Sequence, residues 1–291
     1  KKMDYREELY SFLKSEKKLK ENSIASYRHD VEAFLAEAGL ESEVTTTAVM
    51  AYILKLQKQN RKSSTITRSL ISLRAYFNFL YANDYIRENP MRRISLPKSV
   101  PHPPSILSVE EIDLLLSQPD ITTQKGIRDR ALLEFLYSGG MRVSEMIRVK
   151  LTDVHFDLGY VECIGENGRN RAIPLGKACT AYLKEYIERV RCYIAKGMDT
   201  DVLFVNMRGE PMSRQGCFKI IRDYKEKAGI LKEVNPHTLR HSFAAHLVAN
   251  GADLKSVSMM LGHSDISSAQ IYLQFAQSKI KDTYEKAHPH A

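Results

Sequence analysis

The sequence predicts a mainly α protein of two domains, a four-helix N-terminal domain and an α+β C-terminal domain with a small β-sheet. Three observations carry this. Apolar residues recur every three or four positions through the first eighty residues, the spacing of amphipathic helices. Leu96 to Pro104 packs four prolines into nine residues, too many for a helix or a central strand. Two short β-rich runs, Tyr160–Ile164 and Arg171–Leu175, flank a Gly- and Asn-rich turn. At 291 residues the chain has room for two cores. We place the N-terminal domain at residues 1–98, an extended linker at 99–105 and the second domain at 106–291.

Tyr5 to Leu13 forms a first amphipathic stretch, and the basic run Lys14 to Lys20 reads as a solvated link. Asn22 or Ser23 can cap a second helix whose Tyr27, Val31, Phe34 and Leu35 share a face and which stops at Gly39. Thr45 to Thr47 precede a third, with Val49, Ile53, Leu54 and Leu56 as its apolar positions. The fourth is the clearest, with Ile66, Leu70, Leu73, Phe77 and Leu80 on one stripe. Arg61, Lys62, Arg68 and Arg74 lie on or near it, as phosphate contacts or as an ordinary solvated face.

Beyond the linker, Ser108-x-x-Glu111 is a capping box. Arg128 to Tyr137 reads as a helix ending at Ser138-Gly139-Gly140, and Arg142 opens a short one. Asn167-Gly168 supplies hairpin turn chemistry. Helices resume at Lys177 to Ala195 and at Arg214 to Lys227, with a short strand at Val202 to Val205. Asn235 caps a helix that begins at Pro236 and runs through Leu247 towards Gly251. Its first turn carries His237 and Arg240 on one face, with backbone N–H groups at the positive end of the helix dipole, a seat for a phosphate. Leu261-Gly262-His263 ends a further helix, and Ser267 to Phe275 resumes a helical pattern that holds Tyr272.

Composition narrows the partners. Hydrophobic residues make up 43% of the chain, the mark of a globular protein, and the net charge of +8 points either to a polyanionic partner or to an ordinary solvated surface. The excess is uneven: residues 1–98 carry 18 Lys and Arg against 12 Asp and Glu, the remainder 25 against 23. No apolar run approaches the ~18 residues of a membrane span, and no signal peptide opens the chain. Four cysteines without C-x-x-C spacing read as reduced thiols of a cytoplasmic protein. His237-x-x-x-His241 has the spacing of a zinc pair. Thr238, however, stands where H-E-x-x-H has its glutamate, and no third ligand is evident.

His237-x-x-Arg240, Leu261-Gly262-His263 and Tyr272, preceded by Gly140-Met141-Arg142-Val143-Ser144-Glu145, resemble in order and spacing the signature of the tyrosine recombinase (phage integrase) family, in a layout similar to its short Xer-like members. The resemblance implies an N-terminal helical domain that clamps DNA and a catalytic domain that cleaves and rejoins duplex DNA through a covalent 3′-phosphotyrosine. It makes Tyr272 the nucleophile, sets Arg142 and Arg240 on the scissile phosphate, has His263 donate to a non-bridging oxygen, and has His237 either donate to a phosphate oxygen or assist the tyrosine proton. Glu145 holds the Arg142 guanidinium or forms a plain helix-surface pair. The chemistry needs neither a metal nor a nucleotide cofactor.

The implied partner is double-stranded DNA with a specific recombination site, bound by a homotetramer on two such sites or completed by a paralogous recombinase, with no membrane. The family serves chromosome-dimer resolution and mobile-element integration alike. Ile280, Tyr284 and Ala287 form an apolar stripe on a tail that docks on a neighbouring protomer or on its own domain. One departure stands out. The lysine that the family carries in the hairpin turn, as acid for the leaving 5′ oxygen, aligns with Glu166. Either the alignment slips there, or a different lysine enters, or cleavage is weakened. Glu166 thus motivates a second reading, a cleavage-impaired DNA-binding relative, and a type IB topoisomerase-like enzyme stands as a third.

Overall fold

The computed structural model describes residues 5–39, 44–95, 104–165, 168 and 170–262. His263, Tyr272, Glu166, Asn167, Arg169, most of the linker and the tail with Ile280, Tyr284 and Ala287 lie outside the described residues. Contacts divide the chain into two compact units, Lys1–Pro101 and His102–Ala291.

The first unit is four helices: α1 (Tyr5–Ser15), α2 (Glu21–Ala38), α3 (Thr46–Lys58) and α4 (Ser63–Ala82). Its core forms from the apolar stripes of α2 and α4, where Val31, Phe34, Leu73, Tyr76, Phe77 and Leu80 are fully buried. Each such burial stabilises by roughly 1.5–3 kcal/mol. Phe34 meets Tyr52 and Phe77 edge-on, with ring centroids 5.1 and 6.0 Å apart. Two expectations are corrected. Helix α2 starts at Glu21, with Lys20 at the cap position and no side-chain cap, rather than after Asn22 or Ser23. On α3 the inward positions are Val49 and Tyr52, and Leu54 is 57% exposed. The larger Tyr52 ring reaches Phe34 and takes the place in the core that the stripe gave to Leu54.

The second unit comprises α5 (Val109–Leu116), α6 (Gln124–Gly139), α7 (Val143–Met146), strands β1 (Val154–His155), β2 (Tyr160–Ile164) and β3 (Asn170–Pro174), then α8 (Lys177–Tyr186), α9 (Cys192–Ile194), α10 (Arg214–Lys227), α11 (Pro236–Ala249) and α12 (Leu254–Leu261). The capping box at α5 forms as its residues dictate, with Ser108 accepting from Glu111 N and Glu111 from Ser108 N. Helix α6 is buried on most of its surface, with Ile127, Ala131, Leu132, Leu133, Phe135 and Leu136 all inside, so it is the central helix of the unit. It buries the charged pair Arg128 and Asp129, whose carboxylate also accepts from Tyr224 at 2.9 Å, and Glu134, which Arg130 meets at 2.7 Å. Strand order is β1-β2-β3, antiparallel throughout, with Val161 opposite Ile173 and Cys163 opposite Arg171. The two-residue β1 was not foreseen; it is too short to leave a period-2 pattern.

Two further expectations change here. The helix expected from Lys177 to Ala195 is interrupted by a π-turn at Ile187–Arg191. There the buried Arg191 guanidinium donates to the carbonyls of Thr200, Val202 and Leu203 at 2.7–3.1 Å. The strand expected at Val202 to Val205 is reduced to single bridges, Lys150 with Val202 and Val205 with Pro211. Arg191 takes up carbonyls that a ladder would have used.

At the end of α6 the backbone turns left-handed at Gly140, φ 53°. A Cβ built there would lie 2.3 Å from Phe243 Cδ1 on α11. Gly140 therefore permits both the turn and the close approach of α11 that the site depends on. Gly140→Ala should cost about 2–4 kcal/mol, combining left-handed strain with overpacking. Urea unfolding checks this, and a loss below ~1 kcal/mol would show that Phe243 yields freely.

Candidate active site

Asn235 caps α11 as its sequence predicts, but the consequence differs from the expectation. Its Oδ1 accepts from His237 N at 2.8 Å and Thr238 N at 3.1 Å. The expected backbone seat for a phosphate is thus partly taken by the cap itself. What the first turn offers is side chains.

Arg240 is 4% exposed and points into the unit. It donates to Gly140 O at 2.7 Å and Leu261 O at 2.5 Å, the C-terminal ends of α6 and α12. Helix-end carbonyls carry partial negative charge and lack intrahelical partners, so a guanidinium is a fitting cap for both. Arg142 stands at the cap position of α7 with its side chain 30% exposed. Glu145, one turn on, accepts from Arg142 N at 2.8 Å and from Arg142 Nη1 at 3.2 Å. Of the two readings of Glu145, the holding contact is the one observed.

Glu145 is not held by Arg142 alone. Arg171 on β3 donates to both its oxygens, Nη1 to Oε1 at 3.0 Å and Nη2 to Oε2 at 2.8 Å, a bidentate pair. Arg171 Nε also donates to Met260 O at 2.8 Å. Burial alone would raise the Glu145 carboxyl. The hydrogen bonds from Arg171 and Arg142 N, together with both guanidinium charges, outweigh burial and hold it below the usual carboxylate range. Cys163, opposite Arg171, is pushed up to about 11, by burial first and the Glu145 charge second. It is an inert thiol.

His237 is exposed, yet the protein packed around it partly desolvates its ring. That desolvation, then the guanidiniums of Arg240 and Arg142, hold its imidazole below the usual histidine value. His241 is lowered likewise, by burial, His237 and Arg240. The structure therefore brings Arg142, Arg240 and His237 within electrostatic reach of one another. Among the described residues no three His, Cys, Asp or Glu side chains gather as metal ligands would.

The four basic residues proposed for DNA divide. Arg61 and Lys62 are exposed. Arg68 pairs with the buried Asp30 at 2.9 Å, and Arg74 donates to Ile94 O, so both tie the N-terminal unit together. Two features were not foreseen. Arg171 is read from the sequence only as the first residue of a β-rich run; an arginine three residues before a strand proline is not something periodicity distinguishes. Helix α10 presents Arg214, Gln215, Lys219 and Arg222 around the exposed Phe218, lining a groove of about 490 Å³. Arg214, Phe218 and Arg222 at i, i+4 and i+8 were the available signal.

The model of the phage integrase family matches residues 105–279, and that of the phage integrase N-terminal SAM-like domain matches residues 7–84. The chain belongs to this family, the tyrosine recombinases. It is 38% identical to the tyrosine recombinase XerD of Oceanobacillus iheyensis over 292 residues and 39% identical to that of Staphylococcus haemolyticus over 290, each alignment covering 98% of both chains. Among solved structures, the XerH site-specific recombinase bound to palindromic difH substrate matches with a TM-score of 0.74 at 22% identity, over 96% of this chain and 83% of that one. A lambda integrase tetramer bound to a Holliday junction matches at 0.73 and 19%, over 94% and 77%. At these identities the two structures carry the fold. No helix among the described residues is long and apolar enough to cross a membrane.

The lowered histidines predict a pH effect. The unfolded chain binds protons at His237 and His241 near pH ~6.5, the folded protein only at lower pH. Stability should therefore rise with pH through that window and be lost as pH falls below it. In His237→Gln/His241→Gln the thermal midpoint should vary less between about pH 5 and about pH 7. An unchanged slope would place the titration elsewhere.

Proposed function

We propose that the chain is a site-specific DNA recombinase that cleaves and rejoins duplex DNA through a covalent 3′-phosphotyrosine at Tyr272. The observation that carries the reading is that Arg240, three residues after His237 on α11, reaches the carbonyl of Gly140 two residues before Arg142, in a chain whose relatives are named tyrosine recombinases. A phosphodiester beside these three side chains would set its non-bridging oxygens against two permanent cations. Charge grows on those oxygens in the transition state, so fixed guanidiniums lower the barrier. The Tyr272 oxygen attacks phosphorus, the bond to the 5′ oxygen breaks, and the phosphotyrosine stores the bond energy for rejoining without ATP. His263 donates to a non-bridging oxygen. His237, neutral at physiological pH because its value is lowered, donates to an oxygen or takes the tyrosine proton.

The duplex would be gripped by the basic N-terminal domain of residues 1–98, through Arg61 and Lys62, and by the α10 groove, joined across the 99–105 linker. Arg68, whose side chain is 46% exposed beside its Asp30 pair, and Arg74 would add phosphate contacts to their structural ones. Four protomers on two sites would exchange both strands, as homotetramer or with a paralogous recombinase, coupled by the tail. Lambda integrase, which is similar in fold, has been captured as a dimer and as a tetramer on DNA. A cytoplasmic setting follows from the substrate. The recombinase names of relatives covering 98% of the chain favour this reading over a topoisomerase or a binding-only relative.

On a nicked suicide duplex, the parent should form a covalent adduct visible on a denaturing gel. Tyr272→Phe should abolish it with duplex affinity nearly unchanged, and Arg142→Ala or Arg240→Ala should each slow it about 10²-fold or more. An adduct that persists in Tyr272→Phe would refute the assignment.

Glu166 supports a further part of the proposal: a carboxylate at the lysine position leaves the 5′ oxygen without its cationic acid, so cleavage is slowed. Glu166→Lys should then accelerate single-turnover cleavage by at least ~10-fold, towards the ~10²–10⁴ range of general-acid catalysis. No acceleration would show that the proton comes from another group.

A further inference from the structure

Glu145 is shared between two arginines, and the sharing is unequal. Arg171 meets it with a two-pronged contact at 2.8 and 3.0 Å, whereas the Arg142 guanidinium touches it once, at 3.2 Å. The carboxylate side chain is 1% exposed, so its charge must be met by protein groups. Arg171 is itself largely buried, at 12%, and its third contact is the carbonyl of Met260 in the last turn of α12. The next carbonyl along, that of Leu261, is taken by Arg240. Arg171 thus touches both supports of the proposed phosphate cations: the acid beside Arg142 and the helix end beside Arg240.

We propose that Arg171 is a positioning residue that occupies the Glu145 carboxylate, and by doing so leaves the Arg142 guanidinium aimed at the substrate phosphate instead of folded onto its neighbouring acid. The inference rests on the function proposed above. The physical argument is one of competition. A buried carboxylate left with a single cation draws that cation into a bidentate pair, because beside one backbone N–H the pair is what remains to compensate its desolvation. Arg142 is three residues from Glu145 on the same short helix turn and already touches it, so a small rotation would close the second contact. Its charge would then be cancelled and its donors spent. With Arg171 in place, one acid faces two guanidiniums, and the surplus positive charge lies on the more exposed one, Arg142.

The test compares Arg171→Met, Arg171→Lys and Glu145→Gln/Arg171→Met in the full chain. Two readouts are used: adduct formation on the nicked suicide duplex, and phenylglyoxal labelling of Arg142 quantified by peptide mass spectrometry. Arg171→Met should slow adduct formation about 10²-fold at near-parental duplex affinity, as removal of a transition-state cation does. It should also protect Arg142 from labelling at least about threefold, because the side chain is now engaged. Removing the acid's charge in Glu145→Gln/Arg171→Met should restore labelling and recover about tenfold of the lost rate, since glutamine does not hold a guanidinium.

Arg171→Lys, which keeps the charge but lacks the fork, should fall between parent and Arg171→Met. It serves as the folded comparison should Arg171→Met unfold. Arg142 labelling that is the same in parent, Arg171→Met and Arg171→Lys would overturn the proposal. So would a double substitution that loses further rate in place of recovering it, the pattern of a merely structural residue. The labelling arm does not depend on catalysis. A parent that labels as expected but forms no adduct would refute the recombinase reading and leave the role of Arg171 standing.

Discussion

A carboxylate withdrawn from water and met by two guanidiniums holds the catalytic unit in its working arrangement. Glu145 joins the short helix α7 to strand β3, and through Arg171 the strand is joined to the end of α12. Arg240 closes the circuit by linking the same helix end to the turn at Gly140, two residues before Arg142. Each group in this ring answers a demand made by another. The acid needs cations because it is buried, and the helix-end carbonyls need donors because helices leave them unpaired. The arginines need anions or dipoles because they too are withdrawn from solvent. Arg142 alone remains half open, and the surplus charge is directed there.

The N-terminal unit solves a simpler problem. Its helices bury apolar stripes, and its basic residues are partly structural: Arg68 answers the buried Asp30, which Ser72 also contacts at 2.9 Å. Net charge is therefore an imperfect guide to which cations meet a polyanion. Arg68 and Asp30 together carry no net charge, so the long-range field of this unit comes from its excess of cations over acids rather than from that pair.

Much of this was legible in the residues. Stripes such as Ile66-Leu70-Leu73-Phe77-Leu80 and caps such as Ser108 and Asn235 are local signals, and the elements follow them. The three-residue spacing of Arg142 and Glu145 likewise foretold their contact. What escaped depends on partners distant in sequence. Arg171 meets Glu145 across 26 residues and Met260 across 89, and no local pattern announces either. The π-turn at Ile187–Arg191 follows from a side chain finding carbonyls in a later loop. The α11 start was misjudged for the opposite reason: Asn235 was seen as a cap, but the N–H groups it satisfies were still counted as open to a ligand.

The double capping of α12 also fixes its length. Met260 and Leu261 present their carbonyls to Arg171 and Arg240 only in one rotational setting of the helix end. One residue added or removed between Leu254 and Leu261 would turn that end by about 100° and shift it by about 1.5 Å along the axis. Both arginines would lose their acceptors together. Changes in chain length on this side of the molecule must therefore be absorbed before Asp253 caps the helix, in the exposed turn around Gly251, whose left-handed φ of 94° already marks a break in regular structure. The insertion map of the domain is in this sense written by two guanidiniums.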